Sequence, residues 1–173
     1  MDERVTLRSH LDRPGAATPD GAAVAAVIEA IAAASIELAD LIADGPLAGI
    51  TGRLSGVNSD GDAQKDIDLA ADAIMRRALV ATPVAAILSE EAELPEILDA
   101  AAPLCVAIDP LDGSANLENN ISVGTIFSIR PRGNDVVSTF FEPGTAQCAA
   151  GFVVYGPQTT LVLAHDKRVD RDA

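Results

Sequence analysis

The sequence predicts an α+β protein, with helices first and a mixed, largely antiparallel sheet after them. Three observations predict it. Apolar residues recur at helical spacing in two blocks between Asp20 and Leu79. From Pro83 onward the chain breaks into short apolar runs, VAAIL, PLCVAI, ISVGTIFSI, CAAGFVVY and TTLVLA, punctuated by Pro, Gly and acidic residues. Helices followed by a run of strands build α+β layers, whereas regular alternation would build a parallel α/β sheet. At 173 residues there is room for one domain with a sizeable core.

The elements follow in order. Residues 1–19 read as a flexible start, because MDERVTLRSHLDRPG has no apolar stretch of the kind a signal peptide needs. A helix is expected from Asp20 to Asp44, with Val24, Val27, Ile28, Ile31 and Leu38 on one face and Gly45-Pro46 as its stop. Residues 45–62, rich in Gly, Ser, Asn and Asp, read as a loop. A second helix is expected from Ala63 to Leu79, with Asp66 and Asp68 in its early turns, where negative charge suits the dipole. VAAIL then forms a buried strand ending at Ser89-Glu90-Glu91, and Glu93 to Ala101 a modest helix. PLCVAI is a strand that enters a turn at Asp109-Pro110-Leu111-Asp112. The runs ISVGTIFSI, VVSTFF, CAAGFVVY and TTLVLA complete the sheet, with a loop at 131–134 and a polar tail at 165–173.

Charge narrows the partners. Acidic residues outnumber basic ones 26 to 12, for a net charge of -14. No basic patch is present for nucleic acid or an anionic membrane, and an anionic substrate would need a cation as mediator. Asp and Glu interrupt the longest apolar stretch, so no membrane span is expected. Cys105 and Cys148 are the only cysteines, and Cys105 lies in an apolar run. A reducing, cytoplasmic compartment is expected.

Three acidic clusters are candidates for chemistry. Asp109 and Asp112 leave a buried strand through Pro110, which presets a turn, and Gly113, which tolerates angles other residues avoid. Such a turn places two carboxylates and the Leu111 carbonyl together, and Ser114, Ala115 and Asn116 can start a short helix with unpaired N–H groups beside them. Hard oxygens next to bare amides suit a phosphoryl group bridged to Mg²⁺. The same residues are also ordinary turn formers. Glu90 and Glu91, adjacent at a strand end, point to opposite faces and would divide the labour, one as ligand and the other beside a proton acceptor; they also read as a solvated strand end. Asp62, Asp66 and Asp68 flank the start of the second helix, where capping explains them equally well. His10 and His165 lie in polar terminal segments and carry no assigned role.

DPLDGSAN followed by ISVGTIFSI resembles the metal and phosphate segment of class I fructose-1,6-bisphosphatases. NSDGDAQKDIDLAADAI resembles that family's mobile loop and following helix, ILSEE its metal-ligand strand, and FVVYGPQTTLVLA its next segment, all in order from about Gly45 to Ala164. The resemblance implies that residues 20–164 form the N-terminal domain, the first half of a layered αβαβα fold. It implies Mg²⁺ (Mn²⁺ as a substitute, more than one ion per site) held by Glu90, Asp109, the Leu111 carbonyl and Asp112. Asp62 would approach the metals from the loop, and Asp68 with Glu91 would take a proton from the attacking water. Asp112, Gly113, Ser114 and Ala115 would hold the substrate phosphate, with Ala115 standing where the family commonly has serine. The implied reaction is hydrolysis of the 1-phosphate of fructose 1,6-bisphosphate in carbohydrate metabolism (gluconeogenesis or the Calvin cycle), by a homo-oligomer, a tetramer in the family. Sedoheptulose 1,7-bisphosphate is a second candidate substrate. The related inositol monophosphatases share the DP-[IL]-DG core but carry Thr-Thr-Asn after it. The family's chains continue about as long again past TTLVLA, so its C-terminal domain is expected to be absent here. That would leave an apolar face or sheet edge uncovered. The alternative expectations are a non-catalytic chain that assembles with a full-length homologue, or an inositol-phosphate phosphatase. AAAPL stands where the family has the Lys-Tyr pair of its AMP site, and inhibition by AMP is not carried over.

Overall fold

The computed structural model describes residues 5–11, 21–45, 54–57, 63–165 and 168–170. Helix α1 (Leu7–Leu11) is a single turn inside the segment expected to be loose, with Leu11 buried. Helix α2 (Gly21–Asp44) matches the expected span. By length and composition α2 is apolar enough to cross a bilayer, which corrects the expectation that no stretch is. Here Val27, Ile28, Ile31 and Leu38 are fully buried, and α2 packs on α3 (Asp66–Val80) and on the strand Ala149–Tyr155. Each such side chain contributes about 2 kcal/mol of burial.

Strands β1 (Leu54–Val57) and β2 (Ala63–Lys65) pair antiparallel, so the second helix starts at Asp66 and not at Ala63. The main sheet has seven strands in the order β4-β3-β5-β6-β7-β8-β9. These are β3 (Val84–Ser89), β4 (Glu96–Ile97), β5 (Leu104–Asp112), β6 (Val123–Pro131), β7 (Ala149–Tyr155), β8 (Thr160–His165) and β9 (Arg168–Asp170). Among the described residues, only β3 and β5 run parallel; every other neighbouring pair of this sheet is antiparallel. The α+β expectation of helices on a mixed, largely antiparallel sheet is met.

Two elements differ from expectation. No helix spans Glu93 to Ala101: β4 pairs with Ala86 and Ile87 at the sheet edge, and Arg76 forks onto Glu96, its Nε 2.6 Å from Oε2. Pro95 would be tolerated in the first turn of such a helix, but edge pairing with β3 wins over a weak helical pattern. Nor is VVSTFF a strand: Ser138–Phe141 is a 3₁₀ helix. The Ser138 N–H donates to the Asp135 carboxylate (2.8 Å), and the Ser138 and Thr139 hydroxyls donate to the Asp135 carbonyl. Local side-chain bonds to the backbone outcompete strand propensity.

The helices cover one face of the sheet. On the other, Val136 and Phe140 pack on Ala86, Ala102 and Cys105. Beyond them lies an open cleft of about 1070 Å³, with Leu88, Ile126, Phe152 and Val162 in its wall.

Candidate functional site

The sequence DPLD does not leave the sheet as a turn; it stays in β5 as a bulge. Asp109 pairs with Ile126 and Asp112 with Gly124, so Pro110 and Leu111 together oppose Thr125 alone. In an unbroken strand, residues three apart lie on opposite faces. One extra residue restores the phase and puts Asp109 and Asp112 on the same face. Pro110 has no N–H to leave unpaired in the interrupted ladder. Gly124, opposite Asp112, has no room for a side chain: a Cβ there would stand 2.6 Å from the Val153 carbonyl oxygen.

The electrostatics record this gathering. The Asp109 carboxyl is pushed up to about 6, first by burial and then by the neighbouring charge of Asp112, with smaller contributions from Glu91 and Asp68. A hydrogen bond from the Leu111 N–H to Asp109 Oδ1 (3.1 Å) opposes the rise. Asp68 is buried in the first turn of α3. Glu90 lines the same cleft as Asp109, and its N–H donates to the Ile108 carbonyl at 3.0 Å, extending the β3–β5 ladder past the strand end. Asp112, Glu91 and Asp68 therefore all act on Asp109 across a partly buried space, a cost that a cation relieves. All are hard oxygen donors of the kind Mg²⁺ takes, and the cost that raises Asp109 is the cost a divalent ion removes, so the donor set fits such an ion. Among the described residues, no three His, Cys, Asp or Glu side chains already stand around one point. The acids are gathered electrostatically but are not a closed ligand cage.

After Asp112 the chain turns through Gly113, whose φ of 77° lies in the left-handed region. Ser114–Asn119 follows as a 3₁₀ helix whose start has no side-chain cap, as the short-helix expectation required. Ser114 and Ala115 lie in its first turn, ahead of the Asn116 N–H that returns to the Gly113 carbonyl at 2.8 Å. The carboxylates of Asp109 and Asp112 and the backbone of Gly113, Ser114 and Ala115 are thus continuous in one short segment.

Asp62 lies outside the described residues. His10 and His165 meet each other, Nε2 to Nε2 at 3.4 Å, and bring α1 onto β8. Sequence reasoning missed Asp72 and Ser89. The buried Ser89 hydroxyl donates to Asp72 Oδ1 at 2.6 Å and accepts the Glu91 N–H at 3.3 Å, anchoring the backbone on which Glu91 sits. The i,i+4 spacing of Asp68 and Asp72 on α3 was the available signal.

Comparison with known proteins identifies relatives of this arrangement. The family described as fructose-1-6-bisphosphatase, N-terminal domain, matches residues 8–171. A class 1 fructose-1,6-bisphosphatase of Bradyrhizobium sp. (strain BTAi1) is 64% identical over 170 residues, 98% of this chain and 48% of that protein. One from Bradyrhizobium sp. (strain ORS 278) is 66% identical over 95% of this chain and 45% of its own. The chain spans about half the length of the curated relatives it matches. Among solved structures, Leishmania major fructose-1,6-bisphosphatase in holo form superposes with a TM-score of 0.82 at 26% identity, over 94% of this chain and 52% of that one. A putative sedoheptulose-1,7 bisphosphatase from Toxoplasma gondii superposes at 0.71 with 28% identity, over 82% and 45%.

Proposed function

Because the chain belongs to the fructose-1,6-bisphosphatase family, whose N-terminal domain it matches over residues 8–171, we propose that it carries the metal and phosphate part of a Mg²⁺-dependent sugar bisphosphatase. The reaction is hydrolysis of the 1-phosphate of fructose 1,6-bisphosphate to fructose 6-phosphate and phosphate. The observation that carries the reading is the bulge that puts Asp109 and Asp112 on one face, directly before the uncapped amides that follow Gly113.

Glu90, Asp109, the Leu111 carbonyl and Asp112 would hold Mg²⁺ or Mn²⁺. The ion supplies positive charge at the phosphoryl oxygens, which an acidic surface alone would repel. Gly113, Ser114 and Ala115 offer main-chain N–H groups to the phosphate, a role the alanine at 115 does not impair. Asp68, together with Glu91, accepts a proton from the attacking water, from a buried place in the first turn of α3. Asp62 is assigned to the same site by its place in the sequence. Cys105 and Cys148 are not joined in a disulfide, which favours a reducing, cytoplasmic setting.

The open cleft supports a second reading, in which the chain works by assembly. Its apolar wall fits association with further copies of the chain or with a full-length relative. Phosphate release from fructose 1,6-bisphosphate and from sedoheptulose 1,7-bisphosphate, by the purified chain alone and mixed with a full-length relative, tests both readings. Release that requires Mg²⁺ or Mn²⁺ and disappears with Asp109→Asn is expected. Release that survives EDTA overturns the metal reading, and no gain on mixing overturns assembly.

A further inference from the structure

Thr125 is the single residue that faces the two bulged residues of β5, and it is fully buried. Its Oγ1 lies 2.8 Å from the Pro110 carbonyl oxygen and 2.7 Å from the Tyr155 hydroxyl. A carbonyl only accepts, so the one Thr125 hydroxyl proton goes to Pro110. The proton in the other contact then comes from Tyr155. Burial pushes the Tyr155 pKa up, so Tyr155 stays protonated and keeps this direction. Two buried hydroxyls thus form a line from β7 through β6 to the bulge.

The peptide at the end of that line is special. Its carbonyl oxygen belongs to Pro110 and is held by Thr125; its N–H belongs to Leu111 and is donated to Asp109 Oδ1 at 3.1 Å. A peptide unit is planar, so fixing the oxygen at one end fixes the direction of the N–H at the other. Rotation of this plane would release the Asp109 carboxylate and swing the following Leu111 carbonyl. We propose that Thr125 is a positioning residue for the divalent-ion site, orienting the Asp109 carboxylate through the Pro110–Leu111 peptide, with Tyr155 as its buried support. The inference rests on the metal reading above, and it assigns to the VGTIF segment a task separate from packing.

The test compares Thr125→Val, Thr125→Ser and Tyr155→Phe in the full chain by two measurements. One is Mn²⁺ titration followed by the electron paramagnetic resonance of the free ion. The other is hydrogen exchange of the Leu111 amide in metal-free protein. Thr125→Val keeps the volume but removes the donor. It should weaken Mn²⁺ binding about 10-fold, the scale of outer ligand-orienting contacts, and accelerate Leu111 exchange. Thr125→Ser should restore both, and Tyr155→Phe should cause a smaller loss of each, since the Thr125 bond to Pro110 survives. A folded Thr125→Val with wild-type Mn²⁺ affinity and wild-type Leu111 exchange overturns the positioning role. If that variant does not fold, unchanged values in Tyr155→Phe overturn it. Wild-type protein that binds no Mn²⁺ overturns the metal reading, while Leu111 exchange still decides whether Thr125 clamps the peptide.

Discussion

The two faces of the sheet are built from alternate residues of the same strands, yet they have opposite fates. On β6, Phe127 and Ile129 are buried against the helical layer while Ile126, between Thr125 and Phe127, is 48% exposed. On β7, Val153 and Tyr155 are buried and Phe152 is 42% exposed. Register aligns Ile126, Phe152 and Val162 into one apolar row across β6, β7 and β8 on the open side. A sheet with one solvated face alternates apolar with polar residues; near-continuous apolar strands mark a sheet covered on both faces. This sheet is therefore composed for two covers, and the described residues of α2 and α3 supply one. The candidate carboxylates lie where the contrast is sharpest, with Asp109 in register with the exposed Ile126.

The largest effect should come from the covered face. Ile129 is fully buried, and Ile129→Ala removes side-chain volume that α2, α3 and the neighbouring strands cannot refill. A loss of about 3 kcal/mol is expected in urea unfolding. The matching change three residues earlier, Ile126→Ala, should cost a small fraction of that. Equal losses would mean that both faces are already closed in solution, which would break the contrast.

Gly124→Ala probes the seam between the faces. Its Cβ would meet the Val153 backbone at 2.6 Å, and backbone cannot step aside as a flexible side chain can. A cost of about 2 kcal/mol is expected. Because Gly124 pairs with Asp112, the substitution should also weaken divalent-ion binding, measured by calorimetric titration of Mg²⁺. Lost stability with undiminished Mg²⁺ binding would separate the bulge from the site.

These contrasts also explain what could be read from residues alone. The long helices and the strands β3, β5, β6, β7 and β8 were legible because their apolar runs have the right period and clear stops. Glu90, Glu91, Asp109 and Asp112 can be read together from the sequence only through linked motifs, since each cluster alone reads as surface or turn. The bulge was not legible. Asp-Pro-Leu-Asp-Gly is written in turn-forming residues, and only the facing strand, with Thr125 alone opposite two residues, keeps it in the sheet. The 3₁₀ helix at Ser138–Phe141 carried a readable signal in Asp135, three and four residues before Ser138 and Thr139, but β-branched and aromatic neighbours masked it. Glu93 to Ala101 was read from composition, which cannot register that an edge of the sheet needs a partner.

Acidity offers a smaller and more specific probe. Asp109 titrates near 6 in the fold against 3.8 for an ordinary aspartate. In metal-free protein between those values, the folded state keeps a proton that the unfolded chain has lost. The stability Asp109 contributes is therefore full below about pH 4, falls as pH rises through about 6, and is flat above. Two units correspond to about 3 kcal/mol, which partial exposure reduces to about 1 to 2. Asp109→Asn does not titrate, so its stability relative to wild type should rise by that amount between pH 4 and pH 7 in EDTA. Saturating Mg²⁺ at pH 7 should reverse the order, stabilising wild type alone. A pH-independent difference between the two proteins would mean that the carboxylates do not feel one another.

The smallest effect on stability should be the most informative about the open face. Phe152→Ser replaces a large apolar side chain on the open cleft wall. An exposed position contributes little to folding, so the unfolding free energy should move by no more than about 0.5 kcal/mol. Association is a different matter, because an apolar row is removed from water only when something covers it. The substitution, alone or with Ile126→Thr, should lower self-association in sedimentation and weaken binding of a hydrophobic dye while leaving the Mg²⁺ affinity unchanged. A stability loss comparable with Ile129→Ala would show that Phe152 is already covered in solution, and the sheet would then have both of its layers within this chain.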